Sequence, residues 1–477
     1  MKTTIRMHWV VCIALTATAA QSEARAQSTP SQVAGYRAGI TCSAVFLGGR
    51  NPLDVLREEL DGLQPANVLV EAPVVDYHHR TASVRYEAAP APRLAVAVPG
   101  FGCVLLPPGE RIEDAAKLPH HRVGALPAQT EAAANSTPWP AGDLSSSDPL
   151  PPEVDDAKLA AVLDSAFGGP GSARHGAHQT LGVVVVYDDR IVAERYAPGW
   201  DMHTQYRTWS SAKSLASALV GILVGEGKLR IDQPAPVPAW QSQDDPRREI
   251  TLEHLLHMSS GLASTGSDTP EGYWGGIDTA EDIQRLDLEA PPGTVWKYSN
   301  YDTLLLVLAM REVIGDTSRY LSFPRRALLD RIGMRHTFPE TDAFGNFVLS
   351  SQVYTTVRDL ARFGLLYLHD GVWLGERILP EGWVEYTRQP APARKPETDV
   401  EWGYAKQFWL FDRDSRVPPD TYTTAGHRGQ HATIVPSRRV VIARTGLDPR
   451  TGAGWDQAQF VADVLAAIAS PVDGSTR

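Results

Sequence analysis

Cysteine is scarce in this 477-residue chain: Cys12, Cys42 and Cys103 are all it has. Cys12 falls in a leader-like start, so the remainder can close one internal disulfide at most. No long basic run appears and the formal net charge is -11, which removes the electrostatic footprint of a nucleic-acid or anionic-membrane binder. No apolar run reaches the roughly 18–20 residues that a membrane-spanning helix needs. G-x-S-x-G is absent, and with it the nucleophile elbow that this motif marks. His254 and His257 stand beside Glu253 in the wrong order and spacing for an H-E-x-x-H zinc pair. His78-His79 and His120-His121 have no carboxylate or thiol at ligand spacing, so they read as surface histidines. No metal or organic cofactor is expected.

What is present is ordinary globular material, 43% hydrophobic and 21% charged, in a chain long enough for two domains. The first 26 residues read as a secretory signal peptide. Lys2 and Arg6 give a positive start, Trp9–Leu15 begins a short apolar run, and Ala24-Arg25-Ala26 is an A-x-A cleavage site. The expected address is therefore secreted or periplasmic. In that oxidising setting the even pair Cys42 and Cys103 is expected to form a disulfide, worth about 4 kcal/mol in the chain-entropy model.

Residues 27–108 read as a small α+β unit. Asn51-Pro52 is an N-cap with proline behind it, Leu53, Leu56 and Leu60 share a helix face, and Thr81–Tyr86, Leu94–Val98 and Phe101–Leu106 read as strands. The unit offers no catalytic constellation, which leaves docking to a cell wall or a protein partner as its reading. Residues 109–152 are rich in Pro, Ala and Ser and read as an extended linker.

The second domain, residues 153–472, begins with a helical stripe at Leu159, Val162, Leu163 and Ala166 and a hairpin turning at Asp188-Asp189. Many helical segments follow. A second hairpin, Ala432–Val435 with Val440–Thr445, and a last amphipathic helix close the chain. That order predicts an α+β domain: an antiparallel sheet built from both ends of the domain, flanked by helices, with a helical insertion between.

Three short stretches carry chemistry. In Ser210-Ser211-Ala212-Lys213, a serine stands three residues before a lysine at the front of an apolar helical run; no other serine has lysine at that offset. Positions i and i+3 share a helix face. Lys213 can therefore act as base for Ser210 if burial lowers its pKa, and the unpaired amides of the first helical turn suit a developing oxyanion. In Tyr298-Ser299-Asn300, the phenol can shuttle a proton, more readily if neighbouring cations lower its pKa. Asn300 can hold a substrate carbonyl or Lys213 itself. In Gly426-His427-Arg428-Gly429-Gln430, glycine lets a ligand approach an edge strand, and the Gln430 amide is a second oxyanion donor.

Taken in this order, S-x-x-K, Y-x-N and H-x-G resemble the serine hydrolases of the penicillin-recognising superfamily, in its class C β-lactamase, esterase and 6-aminohexanoate-dimer hydrolase branch. The resemblance spans about Val154 to Ser470 and implies a β-lactamase/transpeptidase-like fold. It implies Ser210 as nucleophile, Lys213 as base and Tyr298 as proton shuttle, with Asn300, His427, Gly429 and Gln430 binding substrate. The expected substrate is a small-molecule or peptide-like amide or ester. β-Lactamase or D,D-peptidase activity and a non-catalytic receptor module are the alternatives. His427 stands where β-lactamases commonly place a lysine for the substrate carboxylate, a loss that Arg428 could partly offset. Arg444-Thr445-Gly446 mimics the third motif, but it lies in the returning strand and lacks a following Gln430. In the 6-aminohexanoate branch an Asp and a Tyr in the loop before Y-x-N act on substrate. Asp268 and Tyr273 lie in such a loop but cannot be matched position by position.

Overall fold

The computed structural model describes residues 29–60, 70–87, 89–123, 131–168, 178–264, 273–394, 402–449 and 454–469. The leader-like start and Asp268 lie outside them.

The larger body is built on a seven-stranded sheet, antiparallel throughout. Its spatial order is Gly403–Tyr404, Trp409–Leu410, Tyr422–Gly426, Gln430–Val435, Val440–Gly446, Thr180–Tyr187 and Arg190–Tyr196. Sequence-distant strands meet in its middle, where Val441 faces Val186 and Ala443 faces Val184. Thr180–Tyr187 is buried along its whole length, as a β-branched run covered on both sides should be. Val184 and Val186 face the larger core with the helix Ala212–Gly225. Val183, Val185 and Tyr187 face the other way, against the helices Asp156–Ala166 and Gln457–Ala466. The hairpin turns at Asp188 and Asp189, both at positive φ, the geometry of a two-residue turn matched to strand twist.

In the N-terminal unit, four antiparallel strands lie in chain order: Val74–Asp76, Thr81–Val84, Arg93–Val98 and Gly102–Leu105. A helix, Pro30–Phe46, packs on one face through Ala34, Ala38 and Cys42. Small residues at i, i+4 and i+8 bring its backbone close to the sheet. The Cys42–Cys103 disulfide fastens the two layers. The sheet's second face does not look out on solvent. Val96, Val98 and Val104 join the same core as Leu215 and Leu219 of the larger body.

The stretch expected to run free as a linker is instead packed. Ile112–Lys117 and Pro119–Arg122 form 3-10 turns, and Leu118, Ala134 and Asp143 are buried. The cause lies more than 200 residues downstream, on the helix Val357–Leu368. Arg358 donates to the Asp143 carbonyl at 2.6 Å, Arg362 binds the Asp143 carboxylate at 2.6 Å, and the Arg362 guanidinium lies over Trp139 at 4.6 Å. Proline-rich composition signals an absence of regular structure, and two arginines a turn apart supply the anchorage that composition hides. His120 also departs from its surface reading: it is buried and Nε2 lies 2.7 Å from Thr341 Oγ1.

Candidate active site

A two-residue strand, Tyr206–Arg207, pairs with Val353–Thr355 and delivers the chain to a 3-10 turn at Trp209–Ser211. The α-helix then runs from Ala212 to Gly225, buried through Leu223. Trp209 sits at φ 49°, a left-handed conformation costly for a bulky residue. Backbone strain of this kind, of order 1–3 kcal/mol, persists only where the surroundings impose it. The turn presents Ser210 half-exposed while Lys213, one turn on, is 1% exposed.

Lys213 Nζ lies 3.3 Å from Ser210 Oγ and donates to Asn300 Oδ1 at 2.5 Å and to the Ser350 carbonyl at 2.6 Å. Burial lowers its pKa well below the ordinary lysine value, and among the described residues no carboxylate offsets the cost of a buried charge there. The neutral amine has two N–H bonds and one lone pair. Two acceptors take the N–H bonds, and the lone pair is left facing the Ser210 hydroxyl. Such an arrangement is chemically able to take a proton from the Ser210 hydroxyl.

Asn300 opens the helix Asn300–Ile314, with Ser299 as its cap. Of the two roles open to Asn300, its side-chain oxygen performs the second, holding Lys213. Tyr298 is half-buried. Its ring centroid lies 5.1 Å from Lys213 Nζ, and the ring stacks on Trp409 at 5.7 Å. Burial raises the Tyr298 pKa and a hydrogen bond with Ser210 partly offsets that rise. The expected lowering by neighbouring cations is not found, since the nearby amine is itself driven toward neutrality. Tyr298 stands as a protonated phenol, able to donate.

The third stretch closes on the nucleophile from the sheet. Ser211 Oγ donates to the Gln430 carbonyl at 2.9 Å. Gly426 pairs with Gln430 across the hairpin, and a Cβ at Gly426 would lie 2.0 Å from the Thr208 carbonyl oxygen, so only glycine lets the strand approach. His427 is exposed and meets Trp209 edge-on at 5.2 Å. Gly429, at φ 88°, turns its missing side chain toward Arg444 and Asp448, so its part is to shape the turn. Arg428 does not offer its guanidinium to a substrate carboxylate: it donates to the carbonyls of Asp448, Leu447 and Glu58. Arg444 is fully buried and ion-paired with Asp448 at 2.7 Å, which agrees with reading His427-Arg428-Gly429 as the third motif.

Two contributors, Ser350 and Asp302, were invisible to sequence reasoning, and a third, Tyr273, was named there without being placed. Ser350 acts through its backbone carbonyl, a group every residue carries. Its Oγ lies 2.5 Å from the Tyr273 hydroxyl, so Tyr273 does reach the site, on a contact with no local signature. Asp302 accepts from Ser260 Oγ at 2.7 Å, and burial pushes its pKa up to about 7. It ties the turn after Leu252–Leu256 to the Tyr298–Asn300 segment. Its only cue was an acidic residue in the first turn of a helix. Among the described residues no group of three or more His, Cys, Asp or Glu is placed to hold a metal ion.

With this geometry in hand, comparison with known proteins gives a consistent result. Residues 163–455 match the family model described as Beta-lactamase. A 6-aminohexanoate-dimer hydrolase of Paenarthrobacter ureafaciens is 26% identical over 296 residues, 55% of this chain and 71% of that protein. Among solved structures, a penicillin-binding protein homologue from Caulobacter crescentus superposes with a TM-score of 0.53 at 16% identity, covering 68% of this chain and 99% of the other. A family VIII carboxylesterase gives 0.52 at 14%, covering 67% and 99%. At these identities the two structures speak to the fold alone.

Proposed function

The chain belongs to the beta-lactamase family, and on that premise we propose that it is an exported serine hydrolase cleaving an amide or ester bond through an acyl-enzyme on Ser210. The observation that carries this reading is the buried, charge-neutral environment of Lys213, with Ser210 Oγ at 3.3 Å and two acceptors fixing its orientation. As Oγ attacks the substrate carbonyl, Lys213 takes the hydroxyl proton. The amides of Ser210 and Gln430 are the donors assigned to the oxyanion. Tyr298 gives its proton to the leaving nitrogen or oxygen and recovers one through Lys213, leaving an ester on Ser210. Water, deprotonated by the same Lys213–Tyr298 pair, then attacks that ester, and the acid departs.

Two features favour an unactivated amide or ester over a β-lactam. His427 replaces the expected lysine, and Arg428 is occupied by three backbone carbonyls. A related protein bearing the name 6-aminohexanoate-dimer hydrolase points the same way. The proposal of export rests on the first 26 residues, and the Cys42–Cys103 disulfide is consistent with an oxidising compartment.

The test is intact mass of the mature protein after exposure to a fluorophosphonate and, separately, to a penicillin, with Ser210→Ala as control. A single fluorophosphonate adduct, absent in the variant, is the expected result. A persistent penicillin adduct would move the substrate toward cell-wall peptides. No adduct with either reagent in folded protein would overturn the acyl-enzyme reading.

A further inference from the structure

The N-terminal unit offers no catalytic side chain, yet it touches three segments that carry candidate site residues. The first is the segment that begins with Tyr273-Trp274. The Trp274 indole lies against the helix Pro30–Phe46, where a Cβ at Gly39 would come within 3.0 Å of its Cζ3 and one at Gly35 within 2.5 Å of its carbonyl oxygen. Tyr36 meets the indole edge-on at 4.8 Å, and Arg93 Nη1 donates to the Trp274 carbonyl at 3.0 Å. The adjoining Tyr273 hydroxyl lies 2.5 Å from Ser350 Oγ, and the Ser350 carbonyl is one of the two acceptors that orient Lys213.

The second segment is the approach to the nucleophile. Arg207 is 1% exposed, and its guanidinium lies 4.0 Å from the ring centroid of Trp209 and 5.1 Å from that of Trp274. It also donates to Ser351 Oγ at 2.6 Å. Trp209 is the residue held at φ 49° directly before Ser210. The third segment is the turn after Gly426, where Arg428 donates to the Glu58 carbonyl at 3.0 Å. Behind these contacts, Glu340 of the larger body accepts from Ser43 Oγ at 2.6 Å and from the Cys103 amide at 2.8 Å, one on each side of the disulfide.

We propose that the N-terminal unit is a working part of the catalytic site and that Trp274 is the positioning residue through which it acts. Wedged between the glycine face of the helix and Arg207, Trp274 fixes both the guanidinium that clamps Trp209 and the backbone that carries Tyr273 to Ser350. Its influence therefore reaches Ser210 from one side and Lys213 from the other, without touching substrate. This rests on the acyl-enzyme reading above and predicts an effect on the rate of acylation, with substrate affinity little changed.

The test uses the full mature chain. Trp274→Ala removes the wedge, Gly39→Val pushes the unchanged Trp274 side chain out of position, Trp274→Phe restores part of the ring, and Leu53→Ala alters an exposed leucine of the same unit. The readouts are the rate of fluorophosphonate labelling of Ser210, kcat and KM on a short p-nitrophenyl ester, and near-UV circular dichroism as a check of folding. Labelling rate and kcat are expected to fall at least tenfold in Trp274→Ala and Gly39→Val, with KM within about twofold. Trp274→Phe should recover part of the loss, and Leu53→Ala should match wild type. If Trp274→Ala does not fold, Gly39→Val and Trp274→Phe carry the comparison. Wild-type rates in the folded variants would overturn the proposal, as would a rise in KM at unchanged kcat. A wild-type protein inert to the probe would overturn the Ser210 reading and this proposal with it, so the two failures are distinguishable.

Discussion

Buried charge is handled in opposite ways around Ser210 and along the helix Val357–Leu368. On that helix, Arg362 reaches the carboxylates of Asp143 and Asp359 at 2.6 and 2.9 Å, and Arg358 binds Glu194 at 2.5 Å. Each cation there has an anion, and the chain folds tightly around the pair. Lys213 is as deeply buried and, among the described residues, donates to neutral acceptors rather than to a carboxylate. Burial with a counter-charge keeps the ion and builds structure. Burial without one pushes the amine toward its neutral form, the form the proposed mechanism needs.

The sharpest way to break this contrast is to give the site a permanent charge. Lys213→Arg keeps length and hydrogen-bonding capacity but cannot lose its proton at neutral pH. Single-turnover acylation should fall by about 10⁴-fold or more, as when a residue that acts as part of a catalytic unit is lost, and Lys213→Met should be equally inert. The reverse intervention is Arg362→Ala, which leaves Asp143 and Asp359 buried without their cation. A loss of about 3–5 kcal/mol in denaturant unfolding is expected, while acylation by the folded fraction should be unchanged.

A third experiment sharpens the contrast with pH. Among the described residues, Asp302 and Glu340 have no salt-bridge partner, and burial raises each pKa to about 7. Because these folded pKa values exceed the unfolded ones, the native state holds protons that the unfolded chain has released. Their contribution is therefore complete below about pH 4 and is lost as pH rises through 7. For Asp302 the linkage is worth up to about 4 kcal/mol. Asp302→Asn should flatten the fall of unfolding free energy between pH 4 and 8, measured by urea titration at each pH; an unchanged slope would exclude Asp302 as its source. The smallest effect should come from Tyr273→Phe, which removes one hydroxyl from Ser350 Oγ. About 1 kcal/mol, a several-fold loss in kcat, is expected for a single neutral hydrogen bond.

What the sequence disclosed follows from the range of each interaction. Ser210 and Lys213 are one helical turn apart, so their meeting could be read without knowing the fold. Thr180–Tyr187 and Val440–Gly446 announced themselves through β-branched residues bounded by turns. The helix Pro30–Phe46 escaped notice because it is buried on most sides and built from small residues, leaving no amphipathic contrast. Its one cue was the capping box of Thr29 and Gln32 with Pro30 behind the cap. The packing of residues 139–145, the Ser350 carbonyl and the Trp274 wedge depend on partners 67 to 239 positions distant. Motif and composition carry no record of such pairings.

The central pairing of the sheet has a consequence for how the molecule comes into being. Thr180–Tyr187 pairs on one side with its hairpin partner Arg190–Tyr196, but its other neighbour is Val440–Gly446, more than 250 residues further along, so the middle of the sheet cannot close until that distant strand has been made. Loop closure across such a span is slow. The contact of Ser211 with the Gln430 carbonyl lies on the strand next to Val440–Gly446, so the surroundings of Ser210 are completed only when this late hairpin docks.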